Sequence, residues 1–294
     1  MFGSKNTTTA PNDAGAQGAP AGPRPLEQTH ARQPVPPSFP SPHATTGGKQ
    51  GREPRGENWD ERLKVIHNDF NPLSEYFRTL RTRILHPASG RPPRSLLITS
   101  ATPGEGKSFV CANLGISIAQ GLEQYALMVD CDLRRPALGQ LFGLPSDHGL
   151  ADHLARGTDL ASLIQQTGVR KLTIIPAGQP PNNPSELLDS ERMDGLVNEL
   201  VDRYQDRLIL LDSPPLQAAA ETAILAQQVD GVVLVARWGM GRREYIQSLV
   251  DIVGKEKIVG VVFNGVRTTA IDRKIFGYTD YQTNYYYSKK KKSA

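Results

Sequence analysis

The sequence predicts an α/β protein with a mostly parallel sheet and helices on both faces. Three observations carry that prediction. Six short apolar runs alternate with stretches of helical periodicity. The first run leads straight into "ATPGEGKS", residues 101–108, whose spacing is that of a phosphate-binding loop, and a helical pattern follows it. Two of the later runs end in aspartates, Asp130 and Asp212, where parallel sheets present ligands.

The elements follow in order. In "NPLSEYFRTLRTRIL", 71–85, Phe77, Leu80 and Ile84 recur at helical spacing, with Asn71 or Ser74 available as a cap. "RPPR" stops that helix. "SLLITS", 95–100, suits a strand buried on both faces. After the loop, Val110, Leu114 and Ile118 mark a helix ending near Gly121. Further strands are expected at 125–130, 171–178, 207–215, 231–237 and 257–266, and helices at 191–204, 220–228 and 243–254.

The flanks differ from this middle. Residues 1–58 hold ten of the 23 prolines and almost no large apolar side chains, so they cannot offset their ordering entropy and are expected to be disordered. Residues 59–274 form the expected domain, and 275–294 a flexible tail. The net charge of +4 owes much to Lys289–Lys292, so nucleic acid is not an expected partner. No run approaches the length of a membrane-spanning helix and no secretory h-region is visible. The two cysteines, Cys111 and Cys131, form no Cys-x-x-Cys pair, which argues against a disulfide framework or a zinc site. The chain reads as cytosolic.

The chemistry starts in the loop. Gly104 and Gly106 let successive N–H groups converge on phosphate oxygens, and the following helix adds its positive end. Lys107 can reach the β- and γ-phosphates, and the Ser108 hydroxyl can hold Mg²⁺. In "VDCDLRRP", 129–136, Asp130 and Asp132 stand two apart past a strand. In extended chain both would face one metal or one substrate hydroxyl. "LILLDSPP" ends in Asp212, the pattern of an aspartate that orients Mg²⁺ directly or through water.

Together, "ATPGEGKS", "ALMVDCDLRRP" and "LILLDSPP" resemble the Walker A, A′ and B motifs of the bacterial tyrosine kinases, autokinases of capsule and exopolysaccharide synthesis. The resemblance runs from about residue 67 to the end and implies a deviant Walker phosphate-loop fold with ATP and Mg²⁺ as cofactors. It implies catalytic roles for Lys107, Asp130 and Asp132. Nucleotide contacts would come from Thr102, Pro103, Gly104, Glu105, Gly106, Lys107, Ser108 and Phe109. Asn264, at the end of the last strand, resembles an asparagine that contacts adenine in related ATPases. Ser108, Asp132 and Asp212 would hold the metal.

Four further stretches agree with the resemblance. "EYFRTLR" matches the family's E-x-x-R-x-x-R element, so Glu75, Arg78 and Arg81 are the expected contacts of a homo-oligomeric ring. Residues 141–164 follow the family's register. "GQPPNNPSELL", 178–188, resembles a family loop that places Asn183, Pro184, Ser185 and Glu186 at the nucleotide edge of the sheet or at a subunit contact. The tail carries Tyr278, Tyr281, Tyr285, Tyr286 and Tyr287, five of the chain's nine tyrosines. The family uses such a cluster for autophosphorylation. Arg237 and Arg242 are expected near the same rim as Asn264.

The implied partners are ATP, a membrane polysaccharide co-polymerase that activates the kinase, further copies of the chain and a cognate phosphotyrosine phosphatase. The implied location is the cytoplasmic side of the inner membrane, reached through that partner. The sequence departs from relatives of the superfamily in two places. Ala101 replaces a glycine at the first loop position, and Pro103 stands where partition and septum-positioning ATPases carry a second lysine. The alternative reading, a nucleotide-switch ATPase of that kind acting as a binding module, needs that lysine. A scaffold ATPase for iron–sulfur clusters would need a Cys-x-x-Cys pair.

Overall fold

The computed structural model describes residues 58–66 and 72–266. The expected disordered segment up to residue 57, the possible cap Asn71, residues 267–274 and the tail 275–294 lie outside the described residues.

Seven strands form one sheet: β1 (Ser95–Ser100), β2 (Tyr125–Asp130), β3 (Gln165–Gln166), β4 (Leu172–Ile175), β5 (Arg207–Asp212), β6 (Gly231–Arg237) and β7 (Ile258–Asn264). Their order is β3-β4-β2-β5-β1-β6-β7. All pairings are parallel except β3 with β4, which is antiparallel. Six of these strands fall on the six apolar runs. The sequence has no counterpart for β3, because two glutamines make no apolar pattern.

The order fixes the site. From β1 the chain turns towards β2, and from β5 it crosses to β6 on the other side of β1. The loop after β1 therefore opens at the switch point, where the crevice of an open parallel sheet lies. β1 is buried along its whole length because strands flank it on both edges and helices cover both faces. Strand β5 ends at Asp212, and Pro214 and Pro215 follow closely, where a ladder donor is no longer available.

Helix α1 (Glu61–Ile66) precedes α2 (Pro72–Leu85) and α3 (Lys107–Ala119). Helix α2 lays Phe77, Leu80 and Ile84 against the core on the α3 side. Phe77 meets Phe109 edge to face at 6.4 Å between ring centroids. Eleven of the thirteen residues of α3 are buried, so this helix is apolar nearly all round and sits between α2 and the sheet. The short helices α4 (Leu138–Leu141), α5 (Leu150–Arg156), α6 (Leu160–Leu163) and α7 (Pro184–Leu188) replace an otherwise unassigned stretch. Helix α8 (Glu191–Arg203) starts where the Ser190 hydroxyl accepts the Met193 amide, and it buries Met193, Leu196, Val197 and Leu200 at i, i+3, i+4 and i+7. Helices α9 (Glu221–Gln228) and α10 (Arg243–Val253) complete the set within a residue of the sequence expectation. Among the described residues no helix is long and apolar enough to cross a membrane.

Candidate active site

The loop after β1 is braced from behind before it meets any ligand. The Glu105 carboxylate is fully buried and accepts the Thr102 amide at 2.8 Å. The Ser100 hydroxyl donates to the Thr102 carbonyl at 2.8 Å. From the far strands, the Arg237 guanidinium donates to the Gly104 carbonyl at 3.1 Å and the Asn264 amide donates to the Glu105 carbonyl at 2.8 Å. Three loop carbonyls, those of Thr102, Gly104 and Glu105, are thus held by side chains. Gly104 and Gly106 adopt φ of 81° and 95°, the left-handed region that favours glycine. A Cβ on Gly106 would also lie 2.0 Å from Asn264 Nδ2, so the loop and β7 approach each other only because that position is glycine.

In front of the loop lies a cleft of about 680 Å³, lined by Pro103, Gly104, Gly106, Lys107, Ser108 and Phe109 of the loop and by Asp132, Arg134 and Arg135 of the segment after β2. Thr102, Glu105 and Asn264 act as braces rather than lining. Lys107 reaches across and pairs with Asp132 at 3.2 Å, both side chains largely buried.

The two aspartates after β2 do not face one ion together as extended-chain parity suggests. The strand ends at Asp130, and the chain then turns. The Asp130 carboxylate accepts the amides of Ala137 and Leu138, both at 3.0 Å, and of Asp132 at 3.2 Å. It builds the turn that carries Asp132 into the cleft. Burial, and after it the adjacent Asp212 charge, push the Asp130 carboxyl well above its ordinary range.

Asp212 is different. It is fully buried at the end of β5, and neither carboxylate oxygen accepts a hydrogen bond of ordinary geometry from a described residue. Burial raises it to about 7; Lys107 and the Ser108 hydroxyl favour its ionised form, and Asp132 opposes that. An orphaned buried carboxylate beside a lysine, a serine hydroxyl and a second carboxylate fits a divalent cation. No cluster of three or more His, Cys, Asp or Glu forms a closed cage among the described residues. That suits Mg²⁺, which is commonly held by one or two protein oxygens while substrate phosphates and water supply the rest.

Three contributors escape any reading by spacing. Arg134 is paired with the buried Glu221 at 3.2 Å and donates to the Ser185 hydroxyl at 2.6 Å. This contact ties Ser185, and so the loop 183–186, to the edge of the cleft. Asp60 and Arg62, at the start of α1, also line the cleft and form a two-pronged ion pair with distances of 2.8 and 2.9 Å.

The expected interface stripe divides. Arg78 pairs with Glu75 on the same helix. Arg81 donates to the Ser117 carbonyl at 2.6 Å and fastens α2 to α3. The five tail tyrosines lie outside the described residues. Both cysteines are free and buried.

Fold and site define a phosphate-loop nucleotide-binding protein. Comparison with known proteins narrows the class. No protein-family model matches the chain. It is 33% identical over 216 residues to the tyrosine-protein kinase YwqD of Bacillus subtilis, covering 73% of this chain and 90% of that protein. It is 33% identical to the tyrosine-protein kinase wzc of Salmonella typhimurium over 74% of this chain, but spans only 30% of that longer protein. The solved kinase domain of the Escherichia coli tyrosine kinase ETK superposes with a TM-score of 0.66 at 34% identity, covering 76% of this chain and 88% of that one. The chain belongs to the bacterial tyrosine-protein kinase family, and its described residues form the kinase domain.

Proposed function

We propose that the chain is an ATP-dependent autokinase that phosphorylates its C-terminal tyrosines Tyr278, Tyr281, Tyr285, Tyr286 and Tyr287 in trans and so regulates the synthesis and export of a capsule or exopolysaccharide. The observation that carries this reading is the Asp212 carboxylate, buried near Lys107 and Ser108 and without a hydrogen bond of ordinary geometry. A buried carboxylate of this kind beside a serine hydroxyl and a second carboxylate supports a divalent cation as its partner.

Each side chain has a distinct task in this reading. The loop amides and Lys107 cradle the β- and γ-phosphates. Ser108, Asp132 and Asp212 would hold Mg²⁺, which would supply charge neutralisation for the transferring group. Lys107 is poised by Asp132 and exchanges part of that pairing for phosphate when the nucleotide enters. Asp132 is placed to accept the phenolic proton, while Asp130 acts through the turn it builds. The tyrosine oxygen bonds to the γ-phosphorus as the bond to the β,γ-bridging oxygen breaks, and ADP leaves. Asn264 and Arg237 lie at the rim on the side where adenine is proposed to rest.

The wider context is carried by the family. Relatives named CapB and EpsB support a polysaccharide setting. A membrane co-polymerase would recruit and activate the chain at the cytoplasmic side of the inner membrane, and a phosphotyrosine phosphatase would reset it. The Glu75–Arg78 pair on α2 offers the contact for a head-to-tail ring that brings each tail to a neighbour's site. The test is a phosphotyrosine blot of purified chain with Mg·ATP, with ATP alone and with Lys107→Met. Signal only in the first sample supports the reading; its absence there defeats it.

A further inference from the structure

Arg237 of β6, which lines the cleft, and Asn264 of β7 grip the phosphate loop. Asp60, Arg62, Arg135, Ala137, Gln140 and Leu141 line the cleft as well and make up a wall of it. The segment that carries Asp60 and Arg62 is anchored by its neighbours. The Trp59 indole donates to the Thr167 carbonyl at 3.0 Å and stands edge-on to Phe142 at 5.2 Å. The Asp60 amide donates to the Leu141 carbonyl at 3.0 Å. Asp132, the proposed acceptor of the phenolic proton, lines the same cleft as these residues, so a tyrosine oxygen that reaches it comes close to Arg135.

The cations here are not equally committed. Arg62 is held by Asp60, Arg134 by Glu221 and Lys107 by Asp132. Arg135 has its backbone fixed, its amide donating to the Asp132 carbonyl at 3.2 Å and to Asp132 Oδ1 at 3.1 Å. Its side chain is exposed, and no hydrogen bond or ion pair engages the guanidinium among the described residues. The result is a cation anchored at its root next to the reacting carboxylate, with a free head at the mouth.

We propose that this wall is the acceptor-tyrosine subsite and that Arg135 selects tyrosines flanked by an acidic side chain. The ligand class is an extended peptide with Asp or Glu beside the tyrosine. The inference rests on the autokinase reading above and names the order in which its acceptors are used. Asp280 directly precedes Tyr281 and lies two residues from Tyr278. Tyr285, Tyr286 and Tyr287 are bounded by Asn284 and Ser288 and run into Lys289–Lys292, which Arg135 repels. Tyr281 is therefore the first acceptor.

A rim ion pair in water is weak, so the expected lead of Tyr281 over the triple cluster is about fivefold. The experiment follows phosphate occupancy at each tyrosine of the full chain by mass spectrometry during the first turnovers with Mg·ATP. The ratio of Tyr281 to Tyr285–Tyr287 within one sample cancels changes in overall rate. Arg135→Glu should abolish the lead, Asp280→Lys should abolish it too, and the two together should restore it, which loss of packing alone cannot do. Early labelling of Tyr285–Tyr287, a lead that survives Arg135→Glu, or no restoration by the charge swap overturns the inference while leaving the kinase reading intact. No phosphotyrosine at all in the unaltered chain overturns both.

Discussion

Asp130 and Asp212 stand opposite each other in register at the ends of β2 and β5, yet only Asp130 accepts backbone amides in ordinary hydrogen-bond geometry. Two like charges side by side and out of water both resist ionisation. The Asp130 charge is offset by backbone amides, that of Asp212 by the nearby Lys107 ammonium and Ser108 hydroxyl. In the proposed reading that division separates a residue that shapes the site from one that binds at it.

Asp212→Asn should remove Mg²⁺ stimulation of nucleotide binding and stabilise the ligand-free protein at pH 8. The folded carboxyl keeps its proton up to about 7. An unfolded aspartate loses it near ~3.9. Between those values the folded state holds more protons, so this group's contribution to stability falls as pH rises through the window. Thermal melts of both proteins from pH 4 to 8 check this. Convergence of the two curves at high pH would contradict it.

The same carboxyl makes metal binding pH-dependent. Mg²⁺ needs the ionised form, so below about pH 7 Mg·nucleotide affinity should fall by roughly tenfold per pH unit, with a proton released on binding. Calorimetry in buffers of different ionisation heat measures that proton. A flat profile from pH 5.5 to 7.5 would remove Asp212 from the metal site.

Asp130→Ala should act on the fold first. It orphans the amides of Ala137 and Leu138, which costs roughly 1–3 kcal/mol and lowers Tm by several degrees. Activity should fall with it, since Asp132 loses its turn. Full stability with lost activity would instead give Asp130 a direct catalytic role.

Asn264→Ala should raise KM for ATP by about tenfold and leave kcat less affected, because the donor to the Glu105 carbonyl is lost while the transferring centre is untouched. Steady-state kinetics at saturating acceptor peptide decide it. An unchanged KM would mean the loop holds its shape without β7.

Transfer between chains is testable by mixing. Lys107→Met chain with its tail should be labelled by active chain lacking residues 278–294. The lysine supplies charge stabilisation that a thioether cannot, so the altered chain alone should be at least about a hundredfold slower. Absence of label on the inactive chain would exclude transfer in trans.

The strands, the loop and Asp212 were legible because each is a local pattern: an apolar run, a fixed glycine spacing, an acid at a run's end. What escaped was long-range or conformational. Arg134 finds Ser185 and Glu221 at separations of 51 and 87 residues, which no spacing reveals. Asp130 and Asp132 share parity only while the chain stays extended, and where it turns is set by amides seven and eight residues further on. Helix α1 has six residues, too few for a periodic signal, and it adjoins a proline-rich flank that reads as tail. Glu105 occupies a variable position of the loop motif, and only its full burial shows that it is a brace.

The anchoring of Trp59 gives the protein an optical property. The chain has two tryptophans. Trp59 is 8% exposed against Phe142, next in sequence to the cleft residue Asp60, whereas Trp238 is 60% exposed and follows the cleft residue Arg237. A dry indole emits towards the blue and a wet one towards the red. The intrinsic fluorescence therefore carries two colours, one from the neighbourhood of each of these residues. If adenine binds beside Arg237 and the acceptor at the Asp60–Arg62 wall, as proposed, nucleotide should change the red component and acceptor peptide the blue, without any label being attached.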